Sequence, residues 1–223
     1  MGLGMTVAAK ATETHILAPS AAAPTRVAVS RRKRAFDILF SGLALLAFLP
    51  LLLLIGTAIW MESEGPILFR QQRTGLLGKP FRIYKFRTMR VMEDGADLKQ
   101  AQRGDTRVTP LGALLRKLSL DELPQLLNVL KGEMSIVGPR PHALGHDIQW
   151  ARRVPAYAAR FRARPGLTGQ AQVMGYRGEV ANDEGLLKRI EADNAYIEGW
   201  SFGRDLGLVA RTVPLLFGDD RAF

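Results

Sequence analysis

The feature that most constrains this chain is an uncharged apolar run of twenty-three residues, 38–60. At ~1.5 Å per residue, a helix of this length reaches across a hydrocarbon core of roughly 30 Å. The run begins too late and is too long for a cleaved signal peptide, and no small-residue cleavage pattern follows Trp60. The sequence therefore predicts a membrane segment that stays in the protein.

Basic residues flank this segment on both sides. Four Lys or Arg residues fill positions 31–34, and seven more lie within positions 70–90. Such cationic flanks are typical of the cytoplasmic side of a membrane, and a straight crossing would place one of them outside. Pro50 lies near the middle, where a kink could return the chain to the face that it entered. The residues leave two readings open, a re-entrant hairpin broken at Pro50 and a single span with a tolerated proline.

The rest of the chain predicts an α+β fold, a mostly helical cytoplasmic domain with a short β-hairpin. We assign residues 1–30 to a disordered cytoplasmic tail, 31–62 to the membrane hairpin and 63–223 to the cytoplasmic domain. Alternating β-prone segments at 66–73 and 81–88 predict the hairpin, and short helices follow at 111–117 and from Ser119 to Gly132. Apolar residues at helical spacing near the C-terminus predict either interfacial amphipathic helices or helices that pack on the domain's own core.

Charge and cysteine content narrow the function classes. The formal net charge of +10 and the isoelectric point near 10.4 favour acidic partners, namely nucleic acid, anionic lipid or phosphorylated substrates. The absence of cysteine excludes a disulfide scaffold, a thiolate zinc site and a cysteine nucleophile.

Two adjacent carboxylates, Asp121 and Glu122, are the strongest catalytic candidates. Neighbouring side chains on a helix point about 100° apart, so one acid could attack or coordinate while the other orients it or tunes its charge. A structural explanation competes with this one, because Ser119 and Glu122 match a capping box and acids in a first turn favour the helix dipole.

Basic residues recur beside rigid Pro and Gly positions around this pair. They are Lys85, Arg87, Arg116, Arg140 and Arg164. Fixed guanidinium groups suit bidentate phosphate binding, whereas a solvated basic face resting on anionic lipid would explain any single one of them.

An ordered series of motifs makes the sequence recognisable. The series is Arg34-Ala-Phe-Asp37, Tyr84-Lys-Phe-Arg-Thr-Met89, Leu118-Ser-Leu-Asp-Glu-Leu-Pro-Gln125, Leu130-Lys-Gly-Glu-Met-Ser135, Val137-Gly-Pro-Arg-Pro141 and Arg164-Pro-Gly-Leu-Thr-Gly169. From about residue 31 to the C-terminus the chain resembles the bacterial sugar transferases, the monotopic polyprenyl-phosphate phosphoglycosyl transferases, in a small single-module form.

The resemblance implies transfer of a sugar 1-phosphate from a UDP-sugar, galactose or glucose, to undecaprenyl phosphate, with release of UMP. It implies that Asp121 is the nucleophile, that Glu122 is its partner, and that Asp121 helps to hold Mg²⁺. It places the enzyme in the bacterial inner membrane, with its catalytic domain on the cytoplasmic face. It makes the reaction the first step of exopolysaccharide or capsule assembly. It also favours the hairpin broken at Pro50. The implied substrate contacts are Lys85, Arg87, Arg116, Arg140, Pro141, Arg164, Gly166 and Thr168.

Two other functions compete with this one. The first is a non-catalytic membrane adaptor whose basic face binds anionic lipid or a polysaccharide-assembly partner. The second is nucleic-acid binding, which the charge allows, but the chain has no recognisable nucleic-acid module and its basic residues surround a membrane anchor. We therefore expect no nucleic-acid partner. The sequence makes no prediction of oligomeric state.

Overall fold

The computed structural model of the chain describes residues 25–90, 105–176, 178 and 182–218. The first twenty-four residues of the predicted tail lie outside this part. Residues 25–30, which we assigned to the same tail, contain the short helix α1 (Arg26–Val29) and contact the domain. Val27 is buried, and the Thr25 hydroxyl donates to the Arg162 carbonyl at 2.6 Å.

The apolar run forms part of one long helix, α2 (Arg31–Glu62), which continues through Pro50. The helix is long and apolar enough to cross a membrane, and only 11% of its most apolar window is buried in the protein. Ser30 caps its N-terminus by accepting from the Lys33 amide. The interruption predicted at Pro50 does not appear in the secondary structure, and the re-entrant path stays a prediction.

The β-hairpin forms as predicted. Strands β1 (Leu68–Thr74) and β2 (Pro80–Phe86) pair antiparallel, and a short 3₁₀ turn (Leu76–Gly78) connects them. A second, parallel pair joins β3 (Ser135–Val137) to β4 (Gly166–Thr168).

Short helices fill the rest of the domain. They are α3 (Pro110–Lys117), a 3₁₀ turn (Leu120–Glu122), α4 (Gln125–Lys131), α5 (Leu144–Arg153), a 3₁₀ segment (Pro155–Arg162), α6 (Gln170–Val173), α7 (Asp183–Glu198) and α8 (Phe202–Gly218). The described residues therefore confirm a mixed, helix-rich fold with small sheets and one long apolar helix.

Helix α7 packs on the core of the domain. Leu186, Ile190 and Ile197 are buried, and the Trp200 indole that follows donates to Asp205 at 3.1 Å and packs against the main core. For these residues the structure supports the core-packing alternative. Helix α8 is mixed, with Leu208 buried and Val213 half exposed, so its interfacial role stays a prediction.

Both halves of α2 contact the same domain. Asp37, in the first half, accepts hydrogen bonds from the Ser135 hydroxyl and the Ile136 amide, each at 3.0 Å. In the second half, Ile55 and Ile59 pack in one buried cluster with Phe86 and Leu115 of the domain. The two ends of the apolar helix are therefore fixed to one folded unit.

Candidate active site

The two acidic candidates lie on the short 3₁₀ turn between α3 and α4. Ser119, which precedes the turn, has a left-handed backbone (φ 56°), and its side chain makes no capping hydrogen bond to the turn. The capping box that competed with a catalytic role is therefore not formed. The left-handed residue instead reverses the chain after α3 and leads directly into Asp121 and Glu122.

Glu122 is held between two cations that come from distant parts of the chain. Lys85 Nζ, on β2, donates to Glu122 Oε1 at 2.8 Å. The Arg140 guanidinium donates to both carboxylate oxygens, at 2.7 Å and 3.2 Å. A fork of this kind fixes the carboxylate plane as well as its charge.

Asp121 lies beside this pair and is held less tightly. Its side chain is buried, and Lys85 Nζ lies 3.8 Å from its Oδ2. Burial raises the pKa of Asp121, and the neighbouring Glu122 charge raises it further, while Lys85, Arg116 and Arg140 lower it. Asp121 thus combines a desolvated carboxylate with a cationic surrounding, which suits a nucleophile that must meet an anionic phosphate.

Arg116 completes the cationic side of the site. Its Nε donates to the Thr88 hydroxyl at 2.9 Å, which fixes the side chain of α3 against the end of the hairpin. Burial lowers the pKa of Arg116, and the Asp121 carboxylate opposes this shift. The structure therefore brings together five predicted site residues: Lys85, Arg116, Asp121, Glu122 and Arg140.

Tight packing of two glycine-containing segments positions Arg140. The Gly166 amide donates to the Pro139 carbonyl at 2.9 Å, and the Gly138 amide donates to the Thr168 carbonyl at 2.9 Å. A Cβ atom on Gly166 would lie 2.1 Å from the Gly138 nitrogen, so only glycine permits this approach. Pro141 follows Arg140 and lines the adjacent pocket.

Three other predicted substrate contacts are engaged with the protein itself. The buried Arg87 guanidinium donates to the carbonyls of Ser63 and Glu64, at the end of α2. Arg164 donates to the carbonyls of Gly132 and Ala28, and the Thr168 hydroxyl lies 2.6 Å from that of Thr212. These contacts describe structural roles, and substrate binding by these residues stays a prediction.

A buried polar network that no sequence motif predicted lies behind Arg140. Its members are His142, Asp147, Tyr157, Arg160, Arg189 and Asp193. Tyr157 donates to Asp147 at 2.5 Å, and Arg160 Nε donates to Asp193 at 2.8 Å. Helical spacing would have assigned these polar residues to a surface, and only the position of His142 directly after the Gly-Pro-Arg-Pro motif pointed toward the site.

Within the described part of the chain, no three His, Cys, Asp or Glu side chains gather into a metal-binding group. A magnesium ion does not require such a cage, because it commonly binds one or two carboxylates together with substrate phosphates and water. Asp121 is the carboxylate that fits this mode, since Lys85 and Arg140 already engage Glu122.

Comparisons with known proteins agree with the motif series. A family model described as bacterial sugar transferase matches residues 28–219. The chain is 56% identical over 212 residues to the UDP-glucose:undecaprenyl-phosphate glucose-1-phosphate transferase of Caulobacter vibrioides, covering 95% of this chain and 79% of that protein. It is 49% identical to a Klebsiella pneumoniae protein of the same name, over 81% of this chain and 39% of that protein. It is 40% identical to the exopolysaccharide production protein ExoY of Rhizobium meliloti, over 82% and 84%.

Proposed function

Because the chain belongs to the bacterial sugar transferase family, we propose that it transfers glucose 1-phosphate from UDP-glucose to undecaprenyl phosphate and releases UMP. The two substrates are those in the names of the Caulobacter and Klebsiella relatives. We propose that the reaction is the first step of exopolysaccharide assembly; the name of the Rhizobium relative, an exopolysaccharide production protein, supports the pathway.

The observation that carries this proposal is that cations lie closer to Glu122 than to Asp121. Glu122 binds Lys85 and Arg140 at hydrogen-bonding distance, whereas Asp121 lies 3.8 Å from Lys85. A carboxylate clamped by two cations is a poor nucleophile, because attack would require it to leave both partners. Its neighbour keeps the cationic surrounding without that clamp. This geometry supports Asp121 as the attacking group and Glu122 as the residue that orients the cations.

The proposed chemistry proceeds in two displacements. An Asp121 carboxylate oxygen attacks the phosphorus next to the sugar, and the bond from that phosphorus to the oxygen of UMP breaks as UMP leaves. An oxygen of the lipid phosphate then attacks the same phosphorus and displaces the Asp121 carboxylate. The products are UMP and a diphosphate-linked glucosyl lipid, and no oxidant or reductant is needed.

Local charge supports a divalent ion in this reaction. Lys85, Arg116 and Arg140 contribute three positive charges, and Asp121 with Glu122 contributes two negative charges, so the protein supplies a net 3 − 2 = +1. A nucleotide diphosphate brings about two negative charges, which this excess does not neutralise. Bound Mg²⁺ would offset the remaining repulsion between carboxylate and phosphate, with Asp121 and the substrate oxygens as its ligands.

The attachment of both ends of α2 to one domain supports the re-entrant membrane path. A straight crossing of roughly 30 Å would separate the two ends of the helix, whereas Asp37 and Ile59 both contact the folded unit that carries the acidic dyad, Asp121 and Glu122. We propose that the helix enters and leaves the bilayer on the cytoplasmic face. This topology places the dyad at the height of the lipid phosphate, whose long tail stays in the membrane.

Mass spectrometry of quenched turnover tests the proposed function. Purified protein in detergent, mixed with UDP-glucose, Mg²⁺ and undecaprenyl phosphate, should release UMP and carry a transient hexose-phosphate adduct on the peptide that contains Asp121. Asp121→Asn should abolish both signals, while the exposed Asp183→Asn should retain them as a matched control. Wild-type protein that releases no UMP with any UDP-sugar of a panel would overturn the proposal and favour a non-catalytic adaptor.

A further inference from the structure

We infer that Arg160 is a positioning residue that holds the main chain of Arg140, so that the Arg140 guanidinium meets Glu122 in the observed geometry. Arg160 Nη2 donates to the Arg140 carbonyl oxygen at 2.7 Å, and Arg160 itself is almost completely buried. Its hydrogen bonds run to the Arg140 carbonyl, the Asp193 carboxylate and the Tyr157 hydroxyl. The inference rests on the proposed function, because it names a residue that supports the same site from behind.

The local sequence explains why Arg140 needs an external anchor. Prolines precede and follow it, so two of the three amides in this stretch have no N–H group to donate. The Pro139 carbonyl is fixed by the Gly166 amide, which secures the chain before Arg140. The Arg140 carbonyl is fixed by Arg160, which secures the chain after it. The fork that holds Glu122 therefore projects from a peptide segment pinned at two consecutive carbonyls.

Arg160 can serve as this anchor because other groups fix it in turn. Its Nε donates to Asp193 Oδ2 at 2.8 Å, and its Nη1 donates to the Tyr157 hydroxyl at 2.9 Å. Nη1 also lies 3.0 Å from His142 Nδ1. Burial and nearby arginines hold the pKa of His142 well below its usual range, so the neutral ring can accept this bond.

These contacts form one continuous connection from α7 to the dyad. Asp193 on α7 binds Arg160, Arg160 binds the Arg140 carbonyl, and the Arg140 side chain binds Glu122. The planar guanidinium reaches Asp193 and the Arg140 carbonyl at once, because its donors point in different fixed directions. A lysine at position 160 would keep the charge but could not make both contacts in the same geometry. A purely stabilising ion pair between Arg160 and Asp193 would not require the bond to Arg140.

Arg160→Lys tests the inference, with Ile190→Val as the matched control. Ile190→Val removes one methylene from the buried apolar cluster beside the network and leaves the Arg160 contacts with Asp193 and Arg140 in place. Both variants are expected to melt at lower temperature than the wild type. UMP release should be measured well below both melting temperatures and normalised to folded protein. We expect Arg160→Lys to lower kcat at least about tenfold, since misplacements of about 1 Å can cost about a hundredfold.

The outcomes separate a positioning role from a stabilising one. In Ile190→Val kcat should stay within about twofold of wild type, and in Arg160→Lys the KM for undecaprenyl phosphate should change less than kcat. Equal kcat values for wild type and Arg160→Lys, or equal losses in the two variants, would overturn the inference. If Arg160→Lys does not fold, Asp193→Asn replaces it in the test. We then expect a loss of kcat, and an unchanged kcat would refute the inference. Wild-type protein without activity would instead refute the proposed function.

Discussion

Replacement of Gly166 by alanine tests how the paired strands β3 and β4 hold the candidate site. The added methyl carbon would lie 2.1 Å from the Gly138 amide nitrogen and 2.4 Å from the Thr168 carbonyl oxygen. Ordinary contact begins at 3.4 Å, so the strands must separate by 3.4 − 2.1 = 1.3 Å. Overpacking of this kind costs about 1–3 kcal/mol, and loss of one strand hydrogen bond adds about 1 kcal/mol. We therefore expect the free energy of unfolding to fall by about 2–4 kcal/mol.

The same displacement should reach the chemistry, because Gly166 binds the carbonyl of Pro139, the residue before Arg140. We expect UMP release to fall by about tenfold to a hundredfold and the melting temperature to fall by roughly 5–15 °C. Gly207→Ala is the matched control, since a methyl group there meets no atom within 4 Å and alanine favours the α8 helix. A Gly166→Ala protein that melts and turns over like Gly207→Ala would refute this account of how Arg140 is placed.

Two further predictions concern the buried charges. Arg87→Lys should lower the free energy of unfolding by about 2 kcal/mol, because hydrogen bonds to the carbonyls of Ser63 and Glu64 at the end of α2 are lost. The KM for UDP-glucose should stay unchanged. A raised KM with an unchanged melting temperature would instead indicate that Arg87 binds the substrate. Burial raises the pKa of Asp147 to about 6 from an ordinary 3.8, so the stability that its protonated form contributes is complete below about pH 4 and is lost as the pH rises through 6. Relative to wild type, the free energy of unfolding of Asp147→Asn should therefore rise by about 1.4 kcal/mol from pH 5 to pH 7.5, as measured by denaturant unfolding at both pH values. Parallel pH profiles of the two proteins would contradict the prediction.

Elements with strong local signals were predicted well from the sequence. Thr109 begins α3 as expected, because its hydroxyl accepts from the Gly112 amide at 2.9 Å and Pro110 suits the first turn. Gly132 ends α4 with a left-handed backbone, φ 84°, which glycine adopts without strain. The hairpin followed from alternation and a turn-forming connection. Each of these signals lies within a few residues of the structure that it specifies.

The roles of the charged residues were harder to predict, because the sequence shows a charge but not its partner. Lys85 and Arg140 reach Glu122 across 37 and 18 residues, and Arg164 reaches the Ala28 carbonyl across 136. All three looked alike as basic positions beside the motifs. Only the fold separates the two that bind an acid of the site from the one that binds main chain. The same reason explains why Arg160 was missed, since its partners are distributed over three elements.

The contacts of α2 connect its position in the membrane to the geometry of the dyad. Its first half binds β3 through Asp37, and β3 leads directly into the segment that carries Arg140. Its second half packs Ile59 against Phe86, the residue that follows Lys85 on β2. Lys85 therefore lies on the strand that packs against the second half of the apolar helix, and Arg140 lies in the segment that directly follows the strand bound by the first half. We expect a shift of either half to move one cation relative to the other, because each half contacts the strand that carries or precedes one of them.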